Sequence, residues 1–511
     1  MKRIFGLTIL ALLLASCSDK YLTRYYSGGT LFEDQYVEQD NTIDGSLIGI
    51  YSKLYEYGSQ HDEFGQRSID MYCDFMCGDM AMSSASYGWF QTDELGLSYS
   101  YRKSYIWGYY YDMIRLSNLI INALDQKGVP ELVDGKTQGD YTETEIENGY
   151  YYGEALAIRG FCYAGLQRFF CKTVDQIDLE SELSVIIYTE DDIANNNTAG
   201  NSRSTAAEVY NRAEQDLSNA VEYMSFFEGD VVSRSSKLRM DQDVARAQLA
   251  YLYLNKGEYE NALKYAKQVI DRGKYTILPQ SRLLTSGFGD VNEESWMWGE
   301  NVTIDNTTGL ASFFGQVDIY TYSYAWAGDA KCIDAKLKAA IPTWDGRQHW
   351  FDEKGRPIRK FYSVNYKDAT AASDLDRDWL NDNVFMRIES VYLIAAEAAA
   401  QQTTPDLEAS KNYLKAILDQ RVDTSVTAQT EYADYLNTLS DQGALIDAIG
   451  LNWRVEMWGE GYGLQTLRRL THAVELGGNH LRSDEELSYT DYRLTLELPT
   501  SETSYNPYVG E

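Results

Sequence analysis

Apolar residues recur at spacings of three and four over most of this chain, the period of a helix with one buried face. The pattern predicts helices over 42–57, 104–126, 153–170, 204–224, 243–257, 258–273, 385–402, 406–421 and 444–460. Nine such segments place the chain in the mainly α class. Two stretches read as related helix hairpins. In ARAQLAYLYLNKGEYENALKYAKQVI, Ala250, Ala262 and Ala266 are small enough for paired helices to approach closely, and Gly257 and Tyr259 form the turn. YLIAAEAAAQQTTPDLEASKNYLKAI has the same outline, with Pro405 at its turn. A roughly 34-residue hairpin of this kind is the unit of tetratricopeptide scaffolds, which stack to bury a shared core. Residues 153–224 echo it.

Between the helices the period disappears over 58–103, 171–203, 274–384 and 474–511. Irregular stretches of that length are uncommon in compact domains unless they function. The first contains MYCDFMCGDMAMSSASYGWFQTDEL and the third EESWMWGENVTIDNTTGLASFFGQVDIYTYSYAWAGD. Both are rich in aromatic rings and in Asp, Asn and Ser. The chain holds 42 Tyr, 10 Trp and 16 Phe, and Tyr joins a flat apolar face to a polar tip. Rings beside short hydrogen-bonding groups suit a sugar, whose C–H face lies on an aromatic while its hydroxyls pair with carboxylates and amides. The alternative is that these rings fold inward and anchor their own loops.

The formal charge of −32 argues against nucleic acid, whose phosphates this surface would repel, although a local basic pocket is compatible with it. Residues 1–16 read as a signal peptide: Lys2 and Arg3, then an apolar run Ile4–Leu14, too short for the roughly 20 residues of a spanning helix. The following LASC resembles a bacterial lipobox, so Cys17 is expected to become the lipid-bearing first residue of the mature protein. The other cysteines, Cys73, Cys77, Cys162, Cys171 and Cys332, match no zinc pattern and read as buried thiols, with one disulfide as the alternative. No GxSxG or HExxH is present, and GVPELVDGKT fails as a phosphate loop because Pro130 stands where a glycine is needed. A carboxylate pair for glycoside hydrolysis stays open among 77 acidic residues. No cofactor is expected. The acidic TEDDI (189–193) reads as a solvated loop, with a structural calcium as the alternative.

The order of the lipobox, EALAIRGFCYAGLQRFF, NSRSTAAEVYNRAEQDLSNA, the two hairpin segments and the closing ELPTSETSYNPY resembles the SusD/RagB family of Bacteroidetes outer-membrane lipoproteins over residues 17–511. The resemblance implies tetratricopeptide-like helix hairpins packed against an irregular, loop-rich half with few short strands. It implies an N-terminal region 17–230 and a C-terminal region 231–511 in one compact unit. It implies a non-catalytic receptor, lipid-anchored on the outer membrane and facing outward. Such a receptor captures oligosaccharides, or peptides as in the RagB branch, for a SusC-type TonB-dependent transporter. Binding residues in the family follow no fixed motif, so the carry-over is regional: Asp79, Tyr87, Trp89 and Phe90 from the first irregular stretch, and Tyr320, Tyr322, Tyr324 and Trp326 from the third. GEGYGLQTL departs from the family in carrying Tyr462 where Arg or His is frequent. Arg454, Glu456, Glu460 and Arg468 are expected to hold helices together rather than touch ligand.

Overall fold

The computed structural model describes residues 42–84, 86–91, 101–229, 231–232, 236–286, 288–361 and 379–509. The signal peptide and Cys17 lie outside these residues. Helix α1 (Thr42–Ser52) precedes α2 (Gln66–Met76), a short strand β1 (Met80–Ala81), and two long helices, α3 (Tyr101–Lys127) and α4 (Glu143–Phe170). A hairpin of β2 (Leu183–Ile186) and β3 (Arg203–Thr205) leads into α5 (Ala206–Phe227), α6 (Gln242–Lys256) and α7 (Tyr259–Asp271). Then come β4 (Trp296–Glu300), β5 (Cys332–Ile333), β6 (Asn383–Arg387), α8 (Ile388–Gln401), α9 (Leu407–Leu418), α10 (Val426–Thr438) and α11 (Gln442–Glu456).

Local chemistry sets the helix ends. Thr142 caps α4 in a reciprocal box: its hydroxyl accepts from the Glu145 N–H at 3.3 Å, while the Glu145 carboxylate accepts from the Thr142 N–H at 2.8 Å. Thr205 and Glu208 repeat the device at α5. Asp241 caps α6, whose chain reverses at Gly257 with φ 76°. Neighbouring helices then pack in sequence, α3 on α4, α4 on α5, α5 on α6, α6 on α7, α7 on α8 and α8 on α9. Small residues permit it: a Cβ on Gly160 of α4 would sit 2.8 Å from Leu217 of α5, and Ala250, Ala262 and Ala266 are fully buried. Both hairpins read from the sequence are present.

Besides short helices inside stretches that read as irregular (Glu190–Ala194, Gln280–Ser286, Phe313–Val317, Ala335–Ala339 and Thr500–Tyr505), three elements differ from the sequence reading. Helix α2 lies inside a stretch that reads as irregular. All eleven of its residues are buried, polar ones included, so no polar face marks a period. Helix α10 was not foreseen, and 385–387 belong to strand β6, where Val384 and Met386 are buried and Asn383 and Phe385 half-buried in alternation. Each strand pairs with one other, antiparallel. The β1–β5 pair, Met80 opposite Ile333, joins the first and third irregular stretches.

Beneath these loops four basic and four acidic side chains form one buried network: Arg347, Lys360, Arg387 and Arg421 against Asp345, Glu389, Glu456 and Glu460. Burial alone would raise the Glu456 carboxyl, but the Arg421 and Arg387 guanidiniums hold it well below the usual carboxylate range. Arg468 donates to the carbonyls of Arg168 at 2.8 Å and Leu494 at 2.6 Å. These contacts give Glu456, Glu460 and Arg468 the structural role expected of them. The five described cysteines are all free and buried. No described helix is long and apolar enough to cross a membrane.

Candidate functional site

Three segments meet at one surface: the loop Tyr57–Phe64 between α1 and α2, the segment Ser86–Gln91 after β1, and the turn Asp318–Asp329 before β5. Each is held from behind. Phe90, with φ 64°, is fully buried and stacks on Phe75 of α2 at 5.4 Å, which fixes the segment that carries Tyr87 and Trp89. Asp318 accepts from the Tyr320 N–H and from Trp379 Nε1, both at 2.7 Å. The Ser323 hydroxyl accepts from the Trp326 N–H at 3.1 Å, and Gly315 O accepts from the Tyr324 N–H at 3.1 Å. Gln316 Nε2 donates to His61 O at 2.8 Å, tying the first loop to the third segment.

What these anchors present is a continuous band of rings. Tyr57 meets His61 edge-on at 6.0 Å; His61 stacks on Trp89 at 5.4 Å and 10°. Tyr324 packs edge-on against His61, Trp89 and Tyr87, and its hydroxyl is 2.5 Å from His61 Nδ1. The Tyr322 phenol, by its charge and a shared hydrogen bond, raises the Tyr87 phenol above its ordinary value, so the two hydroxyls are neighbours. Tyr322 in turn packs against Trp326 at 5.1 Å. Four of these rings are close to half exposed: Tyr57 42%, Tyr87 47%, Tyr322 50% and Trp326 51%. Large rings this open, in a row, form an apolar strip rimmed by hydroxyls, the combination that marks a binding surface.

The structure thus brings together five of the eight residues singled out in the sequence: Tyr87, Trp89, Tyr322, Tyr324 and Trp326. Tyr324 is only 7% exposed and acts as the hub rather than a contact face. Tyr320 is half-buried, its hydroxyl 3.5 Å from Ile358 O. Asp79 and Phe90 are buried and turned into the core. The Asp79 carboxylate accepts from Arg454 Nε at 2.7 Å; burial raises its pKa and Arg454 opposes the rise. Neither residue offers a surface to a ligand, because each holds a loop to the helices beneath. Tyr57 and His61 belong to the band and were missed. Their signal, one of only four histidines beside an aromatic-rich stretch, is too weak to find without the fold.

The carboxylates on these segments are engaged. Asp62 pairs with Arg102, Glu63 accepts from the Ser59 and Gln60 N–H groups at 2.7 and 3.1 Å, and Asp329 pairs with Lys331 at 3.1 Å. Among the described residues no three His, Cys, Asp or Glu side chains are grouped to hold a metal. TEDDI is not the solvated loop expected but a short helix, Glu190–Ala194, because Thr189 and Asp192 form a capping box, with Asp192 accepting from the Thr189 N–H at 2.8 Å. Half-buried Glu190 pairs with Arg159.

Two family profiles match the chain. One, described as "Starch-binding associating with outer membrane", matches residues 32–254; the other, described as "SusD family", matches residues 344–506. Solved structures share the fold. A SusD-like carbohydrate binding protein from Bacteroides vulgatus is 21% identical, over 91% of this chain and 96% of its own, with a TM-score of 0.70. A SusD superfamily protein from Bacteroides fragilis is 17% identical over 93% and 99%, with a TM-score of 0.72. Surface glycan-binding protein A from Bacteroides thetaiotaomicron is 16% identical over 93% and 98%, with a TM-score of 0.63. No curated protein matches.

Proposed function

Because the chain belongs to the SusD/RagB family, we propose that it is a non-catalytic glycan receptor of the outer membrane. On this reading Cys17 carries the lipid anchor, the receptor faces the cell exterior, and captured oligosaccharide passes to a SusC-type TonB-dependent transporter. On the same reading, the described residues of the two regions 17–230 and 231–511 belong to one compact unit. The observation that carries the reading is the aromatic band. Rings from three separate segments are packed edge-on or stacked against one another, with Tyr57, Tyr87, Tyr322 and Trp326 open to solvent. A pyranose presents an apolar C–H face to such rings, and each aromatic contact contributes about 0.5–1.5 kcal/mol beyond area burial. Three or four together supply several kcal/mol, and a dissociation constant near 1 mM corresponds to about −4 kcal/mol. The structural ties of Asp62, Glu63 and Asp329 favour holding a glycan over cleaving it, since a hydrolase needs two carboxylates free to act.

The test is affinity electrophoresis and calorimetry of the soluble protein against amylopectin, xylan, inulin and mucin O-glycans. At least one is expected to retard the wild type, and Tyr322→Ala with Trp326→Ala to weaken that binding fivefold or more. A folded wild-type protein that none of them retards, with peptides co-purifying instead, refutes the glycan reading.

A further inference from the structure

Helix α3 carries a further feature, on the flank turned away from the aromatic band. Residues two apart on a helix point about 200° apart. Tyr105 and Tyr109 face the chain leaving the Tyr57–Phe64 loop: the Tyr105 hydroxyl accepts from the Gly65 N–H at 2.8 Å, and the Tyr109 hydroxyl donates to Gln66 Oε1 at 3.1 Å. Trp107 and Tyr111 therefore point the other way, and the Tyr111 hydroxyl donates to Ile186 O at 2.6 Å. There α3 borders a cavity of about 400 Å³, shared with Tyr188, Asn197 and Gly200. That volume falls within the range of small-molecule sites. Its aromatic wall is Trp107, Tyr111 and Tyr188, with successive ring centroids 4.5 and 5.9 Å apart. Asp112 and Arg115 stand exposed at its edge, without a partner among the described residues.

Gly108 sits between Trp107 and Tyr111 and lines the same cavity. A glycine inside a helix costs about 0.5–1 kcal/mol relative to alanine. On the adjacent α4 that cost has a packing reason: a Cβ at Gly149, Gly153, Gly160 or Gly165 would approach a neighbour to 2.3, 2.9, 2.8 or 2.4 Å. At Gly108 a Cβ would meet nothing within 4 Å. Helix packing leaves room for a side chain at Gly108, and a large one there would extend into the cavity it lines.

We propose that this cavity is a second saccharide site, holding one sugar ring of a polymer that also lies on the aromatic band. The half-buried Tyr111 and Tyr188 supply ring faces, buried Trp107 backs Tyr111 and is itself held edge-on by Phe170 at 5.0 Å, and the free Asp112 carboxylate and Arg115 guanidinium pair with hydroxyls. The proposal rests on the glycan reading above. Two sites on one receptor retain a long chain through effective concentration, while a short oligosaccharide gains nothing from the second.

The test uses Gly108→Leu, which fills the cavity with a better helix former and is checked for fold by circular dichroism, and Asp112→Ala with Arg115→Ala as an independent pair. Amylopectin, xylan, inulin and mucin O-glycans serve as probes, each as polymer and as a short oligosaccharide. Gly108→Leu is expected to weaken polymer binding about tenfold and to leave oligosaccharide binding at the band unchanged. With Tyr322→Ala and Trp326→Ala in place, the residual polymer binding is expected to disappear on adding Gly108→Leu. Polymer affinity unmoved by both cavity variants, or residual binding already absent when only the band is altered, overturns the second site and leaves the glycan reading intact. No binding of any probe by the wild type overturns both.

Discussion

Glu456→Gln tests how the loop half is fastened to the helix layer. In the protein, Glu456 Oε1 accepts from Arg387 Nη1 at 2.7 Å and Arg421 Nη2 at 2.8 Å, and Oε2 accepts from Arg421 Nε at 2.9 Å and Arg347 Nη1 at 3.1 Å. All four side chains are at least 98% buried. The amide keeps the shape but removes one of four negative charges that balance four positive ones. It also turns an –NH2 toward two guanidinium N–H groups that need an acceptor. Breaking one partner of a buried ion pair costs about 3–5 kcal/mol, against the 5–15 kcal/mol total typical of natural proteins. The readout is the first transition in urea, at pH 7 and pH 4. Because the folded-state pKa of Glu456 is depressed, its contribution is fully present above the unfolded carboxylate value and is lost progressively as pH falls from there through the folded value. The gap between wild type and variant is therefore expected to narrow at pH 4. Lys415→Ala, which breaks an exposed pair with Asp419 at 2.6 Å, serves as control and is expected to cost under about 1 kcal/mol. A Glu456→Gln penalty no larger than the control refutes the reasoning.

Trp89→Ala removes the ring on which His61 stacks and one of the rings around Tyr324; it is expected to weaken glycan binding and to cost about 1–2 kcal/mol of stability, whereas the open Trp326→Ala changes stability by under about 0.5 kcal/mol. Denaturation midpoints beside calorimetric affinities separate the two. Burial pushes the Glu300 carboxyl up to about 8, opposed by the Asn383 amide and aided by Asp382. The folded state then binds more protons than the unfolded one between the ordinary carboxylate value and about pH 8, so stability falls as pH rises through that window. Glu300→Gln is expected to flatten this dependence and to raise the urea midpoint at pH 8.5, and a variant less stable than wild type there counts against it. Cys17→Ala is expected to release the protein from the membrane fraction while leaving its polysaccharide affinity in solution unchanged; retention in that fraction sinks the anchor.

Helices whose burial is one-sided were legible in the sequence, because a polar face leaves a period. Helix α2 was not, since Asp70, Asp74 and Arg67 are as buried as Ile69 and Phe75. Its polar groups find partners in the core instead: Arg67 pairs with Asp70 at 2.9 Å, and Asp74 accepts from the Gly459 N–H at 2.5 Å. The strand at 383–387 was lost for the opposite reason, a two-residue alternation running directly into a helix.

The candidate site divides along the same line. Composition located the two aromatic stretches that build it, but composition does not say which ring points out. In TYSYAW only Tyr322 and Trp326 point out, each half exposed, with Ser323, Tyr324 and Ala325 buried between them. That arrangement comes from backbone bonds the sequence does not display, the Tyr324 N–H to Gly315 O and the Asp329 N–H to Tyr324 O. The buried members are what make the exposed ones usable. Phe90, Tyr324, Asp318 and Asp79 each spend their side chain on the protein itself, so the rings beside them are held in place before a sugar arrives. A preorganised band loses little side-chain entropy on binding, which allows contacts of about 1 kcal/mol each to add up to useful affinity.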